Sequence, residues 1–244
     1  MAVKKEEVIA IKAPEFEVIT VKIVGDTPLI VHAWDAKAKR EILEKEVFGN
    51  KKVQKREAKD PIRDFAASMY WLTPMPDTLD AESIGKALES GARFGFPATA
   101  IKQCAINAAF WQGWSKDKTT LRAAFNIMAD AHGYYGGDLV IDHAGGKIDI
   151  IPNQFKPYDM VEIISDPPVM REDMVRVANN AADIRYRGEF QNWSMNLKVS
   201  YNKNGKYTKS DVLNIIQAGG YACGIGEWRV EKDGVNGQYH IETA

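Results

Sequence analysis

The side chains able to do acid–base or metal chemistry are few and scattered. The four histidines are His32, His132, His143 and His240, and none belongs to an HxxxH pair or accompanies a CxxC or DxD motif. Cys104 and Cys223 are distant in sequence, lie in apolar surroundings and have no Cys or His neighbour at ligand spacing, so they read as reduced core residues. His32, beside Trp34 and Asp35, is the one candidate for acid–base work, and a satisfied structural histidine is the simpler reading. Asp26 follows Gly25 in an ordinary turn sequence. The expectation is a chain with no catalytic residues, no metal ligands and no cofactor.

A different chemistry is better represented, the binding of a polyanion with exposed bases. Residues 170–190 hold Arg171, Arg176, Arg185, Tyr186 and Arg187. Guanidinium forks grip phosphates and aromatic faces stack on unpaired bases, a mixture that suits a single strand better than a duplex. Surface pairing of Arg171 and Arg176 with Glu172, Asp173 or Asp183 is an equally good reading of those two alone. A second segment, 219–239, is punctuated by Gly219, Gly220, Gly224, Gly226, Gly234 and Gly237 and carries Trp228 and Arg229. Clustered glycines allow close backbone approach to a ligand or another subunit. The third is Phe96-Pro97-Ala98-Thr99-Ala100-Ile101-Lys102, a helix start with small residues and one lysine. A basic run over 37–63, including Lys51, Lys52, Lys55 and Arg56, reads either as a solvated surface or as an arm clamping a phosphate backbone.

These segments need elements to hold them. The spacing of β-branched residues predicts a strand over 16–24, an extended segment over 27–32 and a charged helix over 35–47. Asp80 is placed as the N-cap of an amphipathic helix reaching Arg93, and a buried helix is expected over 97–112. Residues 138–151 read as a hairpin about Ala144-Gly145-Gly146, followed by a proline-rich connection from Pro152 to Pro168. Residues 192–201 alternate as a half-buried strand. Thr208 caps a helix ended by Gly219-Gly220, and a last strand covers 238–242. The order yields an α+β chain: a ferredoxin-like or RNA-recognition-motif-like βαββαβ core, with a large helical, basic insertion over 33–95 after the first strand and a glycine-rich C-terminal loop, all in one domain over 1–244.

Composition bounds the partners. Lys and Arg total 32 against 33 Asp and Glu, so no global basic field exists and any polyanion site must be local. The first residues lack an apolar leader-like stretch and no apolar run reaches membrane-spanning length, which predicts a cytoplasmic protein without a membrane partner.

The 96–102 segment resembles the I-P-G-S-S-L-K-G helix start of the RAMP superfamily, the RNA-recognition-like proteins that form the backbone of CRISPR effector complexes. Residues 219–239 resemble that superfamily's C-terminal glycine loop. Gly25-Asp26-Thr27-Pro28-Leu29-Ile30, Arg185-Tyr186-Arg187-Gly188-Glu189-Phe190 and Gly224-Ile225-Gly226-Glu227-Trp228-Arg229 are similar to a group of phage and prophage proteins that look like single-strand binding proteins of RAMP-like fold, encoded near recombination functions. The resemblance implies a nucleic-acid-coating protein whose subunits stack into a ring or helical filament, with Lys102 on the backbone of the strand and a phage recombinase as a further partner. Ala98 and Gln103 stand where the superfamily motif has glycines. Three functions follow as expectations: a sequence-tolerant single-stranded DNA-binding protein contacting the strand through Lys102, Arg185, Tyr186, Arg187, Trp228 and Arg229; an RNA-binding backbone subunit of a guided complex; or a phage assembly protein that binds no nucleic acid. DNA and RNA are not separated by any motif, because the 2′-OH contact that distinguishes them is not encoded locally.

Overall fold

The structure, a computed structural model, describes residues 12–34, 36–49, 58–134, 137–152, 156–176 and 182–242. Lys51, Lys52, Lys55 and Arg56 lie outside the described residues.

Two long strands form the centre. β1 (Phe16–Gly25) and β11 (Trp193–Asn202) pair antiparallel from Phe16 opposite Asn202 to Val24 opposite Ser194. On β11 every second side chain, from Trp193 through Met195, Leu197 and Val199 to Tyr201, is buried, so one face of the ribbon must be covered. The cover is two helices, α4 (Ala98–Trp111) and α6 (Lys209–Ala222), packed on each other. α4 is rich in alanine and presents Ala98, Ile101, Ala105 and Ala108 to the interior, and those small side chains let α6 approach closely. A Cβ on Gly219 would stand 3.0 Å from the Ala105 Cα, and one on Gly220 would overlap the backbone of Tyr239. Gly219 and Gly220 therefore lie inside α6, not at its end as their type suggested. Close packing explains them, and helix termination does not.

Pro97 is the N-cap of α4 and closes β3 (Phe94–Pro97), so the helix starts one residue later than expected. β12 (Tyr239–Ile241) flanks β1, while β4 (Phe125–Met128) and β8 (Lys156–Ser165) flank β11 at opposite ends. The sheet runs β12-β1-β11-β8-β3, with β4 beside β11 and β5 (Ala131–Gly133) beside β8. β8 corrects the reading of 152–168 as a connection. Its one proline, Pro157, is the second residue of the strand, Pro152, Pro167 and Pro168 lie outside it, and Met160, Val161 and Ile163 supply buried positions. β6 (Gly137–Asp142) and β7 (Lys147–Pro152) form the expected hairpin.

A second sheet, β2-β10-β9, joins β2 (Leu29–Val31) to a long hairpin of β9 (Val169–Arg176) and β10 (Ala182–Phe190). Three helices, α1 (Ala36–Phe48), α2 (Pro61–Ala67) and α3 (Ala81–Glu89), fill the stretch between β2 and β3. Asp60 and Asp80 cap α2 and α3 with their carboxylates. The buried residues Phe65, Met69 and Trp71 of this stretch belong to the same buried cluster as Leu197 and Ile216. Among the described residues no helix is long and apolar enough to cross a membrane.

Candidate nucleic-acid interface

The turn Gly25-Asp26-Thr27-Pro28 hands the chain from the central sheet to the second one, and the C-terminal loop is laced onto it. The Gly237 N–H donates to the Pro28 carbonyl at 2.8 Å and the Glu227 N–H to the Ile30 carbonyl at 2.8 Å. The closeness of the lacing explains two glycines: Gly226 has φ +80° and Gly237 +68°, and a Cβ on either would overlap a carbonyl oxygen, of Ile30 and Ile225 respectively. Trp228, between these fixed points, is held at φ 52°, an uncommon conformation for a residue with a side chain, and keeps its indole 41% exposed.

Between this loop and α4 lies a cleft of ≈ 280 Å³. Its walls are His32, Tyr70 and Phe96 on one side and Gly224–Glu227 on the other, and its floor carries Gln103, Asn107, Arg229 and Glu231. The floor is one network. Gln103 donates to the Asn107 side-chain oxygen at 2.8 Å, Asn107 donates to Glu231 at 3.0 Å, and Arg229 donates to Glu231 at 2.8 Å and to the Gly226 carbonyl at 3.0 Å. Burial pushes the Glu231 carboxyl up, but its hydrogen bonds from Arg229 and Cys223 outweigh that and hold it below the ordinary range.

A second cleft, of ≈ 180 Å³, opens on the other side of His32, lined by Lys59, Asp64, Asp183, Arg185 and Tyr186 among others. His32 lines both clefts, with Arg185 and Tyr186 in the second and the α4 residues and glycine loop in the first.

The structure brings the three sequence segments together but neutralises most of their cations. Arg171 donates to Asp173 and to Glu189, each at 2.8 Å. Arg187 is 2% exposed and pairs with Asp173 at 3.1 Å and with Glu227 at 3.5 Å. It is a buried strut joining β9 and β10 to the glycine loop, beneath the surface where a strand would lie. Arg229 is turned inward to Glu231. Arg185, whose nearest carboxylate, Asp183, is 3.8 Å away, is the most available of the group. Lys102 is set apart: its ammonium donates to the Asn126 side chain at 2.7 Å and lies over the Phe125 ring at the β4 edge, where partial burial pushes its pKa down.

Sequence reasoning did not single out Tyr70, Gln103, Asn107 or Lys59 as lining a site. Tyr70 carried no signal, since it comes from sequence without a motif, and Lys59 was visible only as one cation of the basic run over 37–63. Gln103 and Asn107 share a helix face at a four-residue spacing, a polar stripe on an otherwise apolar helix. Nor did it pair Asp26 with His240, whose ring nitrogen lies 2.6 Å from that carboxylate across the β1–β12 edge. Cys104 and Cys223 are both buried, Cys104 against the Gly219 carbonyl at 3.2 Å and Cys223 against Glu231 at 3.4 Å. Burial, then the neighbouring Cys223, pushes the Cys104 thiol well up. The face of the central sheet opposite the helices carries Val18, Thr20, Ser194, Asn196 and Lys198, and the rings of Trp193 and Tyr201 point the other way, into the core. Base stacking on that face has no ring at its centre.

No protein-family model matches this chain, and no curated protein sequence matches it.

Proposed function

We propose that this chain binds single-stranded DNA with little regard to sequence and polymerises along it, as a cytoplasmic phage or prophage protein of recombination or replication, without a catalytic step of its own. The observation that carries the reading is the shared wall at His32: one cleft is lined by Arg185 and Tyr186, the other by Tyr70 and Phe96, and we read the two as one track for the strand, with the exposed Trp34 and Trp228 indoles nearby in sequence. Alternating rings and polar groups along a groove suit unpaired bases, because every base has a face to stack. The basic segment over 37–63 adds phosphate contacts as a clamp.

The strand order supports a ferredoxin-like core of RAMP type. The last strand, β12, lies beside the first, β1. β11, third in the βαββαβ count, lies beside β1, and β8 with β4 takes the second position, while α4 and α6 share one face. Polymerisation is supported by β9, which among the described residues pairs with β10 alone and whose Val169, Met170 and Met174 are 46%, 44% and 77% exposed, apolar surface suited to a neighbouring subunit.

Fluorescence anisotropy with labelled oligo-dT, oligo-rU and a duplex of equal length, at two salt concentrations, with negative-stain images of the mixtures, tests this. Tight oligo-dT binding with filaments is expected. Preference for oligo-rU moves the reading to an RNA-binding backbone subunit, and no binding to any of the three leaves the assembly protein.

A further inference from the structure

The cleft between α4 and the glycine loop has a composition that stacking alone does not explain. Its walls are partly aromatic, but its polar groups are of two opposed kinds set close together: the Glu227 carboxylate and the Arg229 guanidinium, two residues apart on either side of the left-handed Trp228. The nearest side-chain nitrogens to Glu227 are at a distance, the Arg187 guanidinium at 3.5 Å and the His32 ring at 3.7 Å, longer than the 2.7–2.9 Å typical of charge-assisted hydrogen bonds. A carboxylate has about four acceptor positions, so Glu227 retains capacity for two parallel N–H donors. The same neighbours, His32 first and then Arg187 and Arg229, hold it below the ordinary range, so it is an acceptor at neutral pH. Arg229 uses its Nε on Glu231 and one terminal nitrogen on the Gly226 carbonyl. With five N–H donors in its fork, it has others to offer.

The local charge argues against a phosphate as the occupant. Among the lining residues two carboxylates, Glu227 and Glu231, face one guanidinium, Arg229, so the pocket suits a neutral base better than a phosphate, which a bound strand would keep outside it. A neutral planar group with two adjacent donors on one edge and acceptors on another suits both kinds of group. Among the bases, guanine alone presents two adjacent N–H donors, at N1 and N2, with the O6 and N7 acceptors beside them. Thymine, uracil, cytosine and adenine each place an acceptor where the second carboxylate oxygen would need a donor.

We propose that this cleft is a guanine-binding site, in which Glu227 accepts from N1–H and N2–H, Arg229 donates to O6 or N7, and the ring lies between the Tyr70–Phe96 wall and the glycine loop. Gln103, at the floor, has its side-chain oxygen and one N–H still to offer after its bond to Asn107. The site takes the base whether it belongs to a free nucleoside or is unstacked from a bound strand. Only the second source rests on the strand-binding reading above.

The test begins with the unaltered protein and free nucleosides, by isothermal titration. Guanosine is expected to bind about tenfold more tightly than adenosine, cytidine or uridine, and inosine, which lacks the N2 amino group, to lose about tenfold against guanosine. Glu227→Gln is expected to bring the guanosine-to-inosine ratio close to one. Because Glu227 also faces the buried Arg187, the inosine comparison on the unaltered protein keeps the test independent of that variant's folding. Guanosine bound no better than uridine, or an inosine affinity equal to that of guanosine, overturns the proposal. A second arm compares oligo-dT with the same oligonucleotide carrying one central dG. A gain of about tenfold places the strand's own base in the cleft. Guanosine binding without that gain assigns the site to a free nucleoside. Oligo-dT binding with neither effect overturns the guanine site and leaves the strand reading standing, whereas guanosine binding with no oligo-dT binding does the reverse.

Discussion

Arg187 and Asp173 face each other across the β9–β10 hairpin at 3.1 Å, with side chains 2% and 9% exposed. A guanidinium so buried forms only where carboxylates wait for it, and Arg187 reaches Glu227 in the glycine loop as well. Removing the cation takes from the buried Asp173 one of its two guanidinium partners and leaves it Arg171 alone. Arg187→Met should destabilise the protein by about 3–5 kcal/mol in urea unfolding, and adding Asp173→Leu should recover part of that loss. A single-variant effect under about 1 kcal/mol would mean that the pair is solvated and that the hairpin is not anchored through it.

Two glycines should respond in opposite directions. A Cβ on Gly220 would overlap the Tyr239 backbone, whereas one on Gly85, inside α3, would meet nothing within 4 Å. Gly220→Ala should lower stability by about 3 kcal/mol, and Gly85→Ala should raise it by up to about 1 kcal/mol through helix propensity. Thermal melts of the two variants separate the effects by sign.

Acid should loosen the glycine loop. Glu227 and Glu231 are both held below their ordinary value of 4.5 in the folded chain. Each therefore binds fewer protons folded than unfolded near that pH, and stability rises with pH there. The contribution is fully present above 4.5, and it is lost as pH falls through the depressed folded values. Urea unfolding between pH 6 and pH 3 should show the decline, and Glu227→Gln should show a shallower one.

Arg185 and Lys102 should behave differently on single strands. Arg185 lines the track, with its nearest carboxylate 3.8 Å away, while Lys102 is tied to Asn126 at the β4 edge. Arg185→Ala should reduce the slope of log affinity against log salt by about 1, the loss of one phosphate contact. Lys102→Ala should leave that slope unchanged. Equal effects would return Lys102 to the interface that its motif suggested.

The elements most legible in the sequence were those with a strong local signal: the alternation over 193–202, the Thr208 and Asp80 caps, and the turn of the β6–β7 hairpin. β8 was hidden by its flanking prolines. The β9–β10 hairpin was read only for its arginines, because charged residues occupy strand positions there, paired across the hairpin and, for Arg187, with Glu227 in the glycine loop. Gly219 and Gly220 misled for a related reason, since their requirement comes from Ala105 and Tyr239, more than a hundred and about twenty residues away respectively. The site followed the same rule. Its segments were visible as unusual composition, but the inward pairing of Arg187 and Arg229 and the part played by His32 as a shared wall depend on contacts that no local pattern carries.

Ultraviolet cross-linking of the protein to oligo-dT, with the attached residues identified by mass spectrometry, tests the central claim most directly. A strand in the track predicts cross-links at Tyr186, Tyr70, Phe96 or Trp228. Cross-links confined to Phe16, Met128 and other residues on the open face of the central sheet would contradict it.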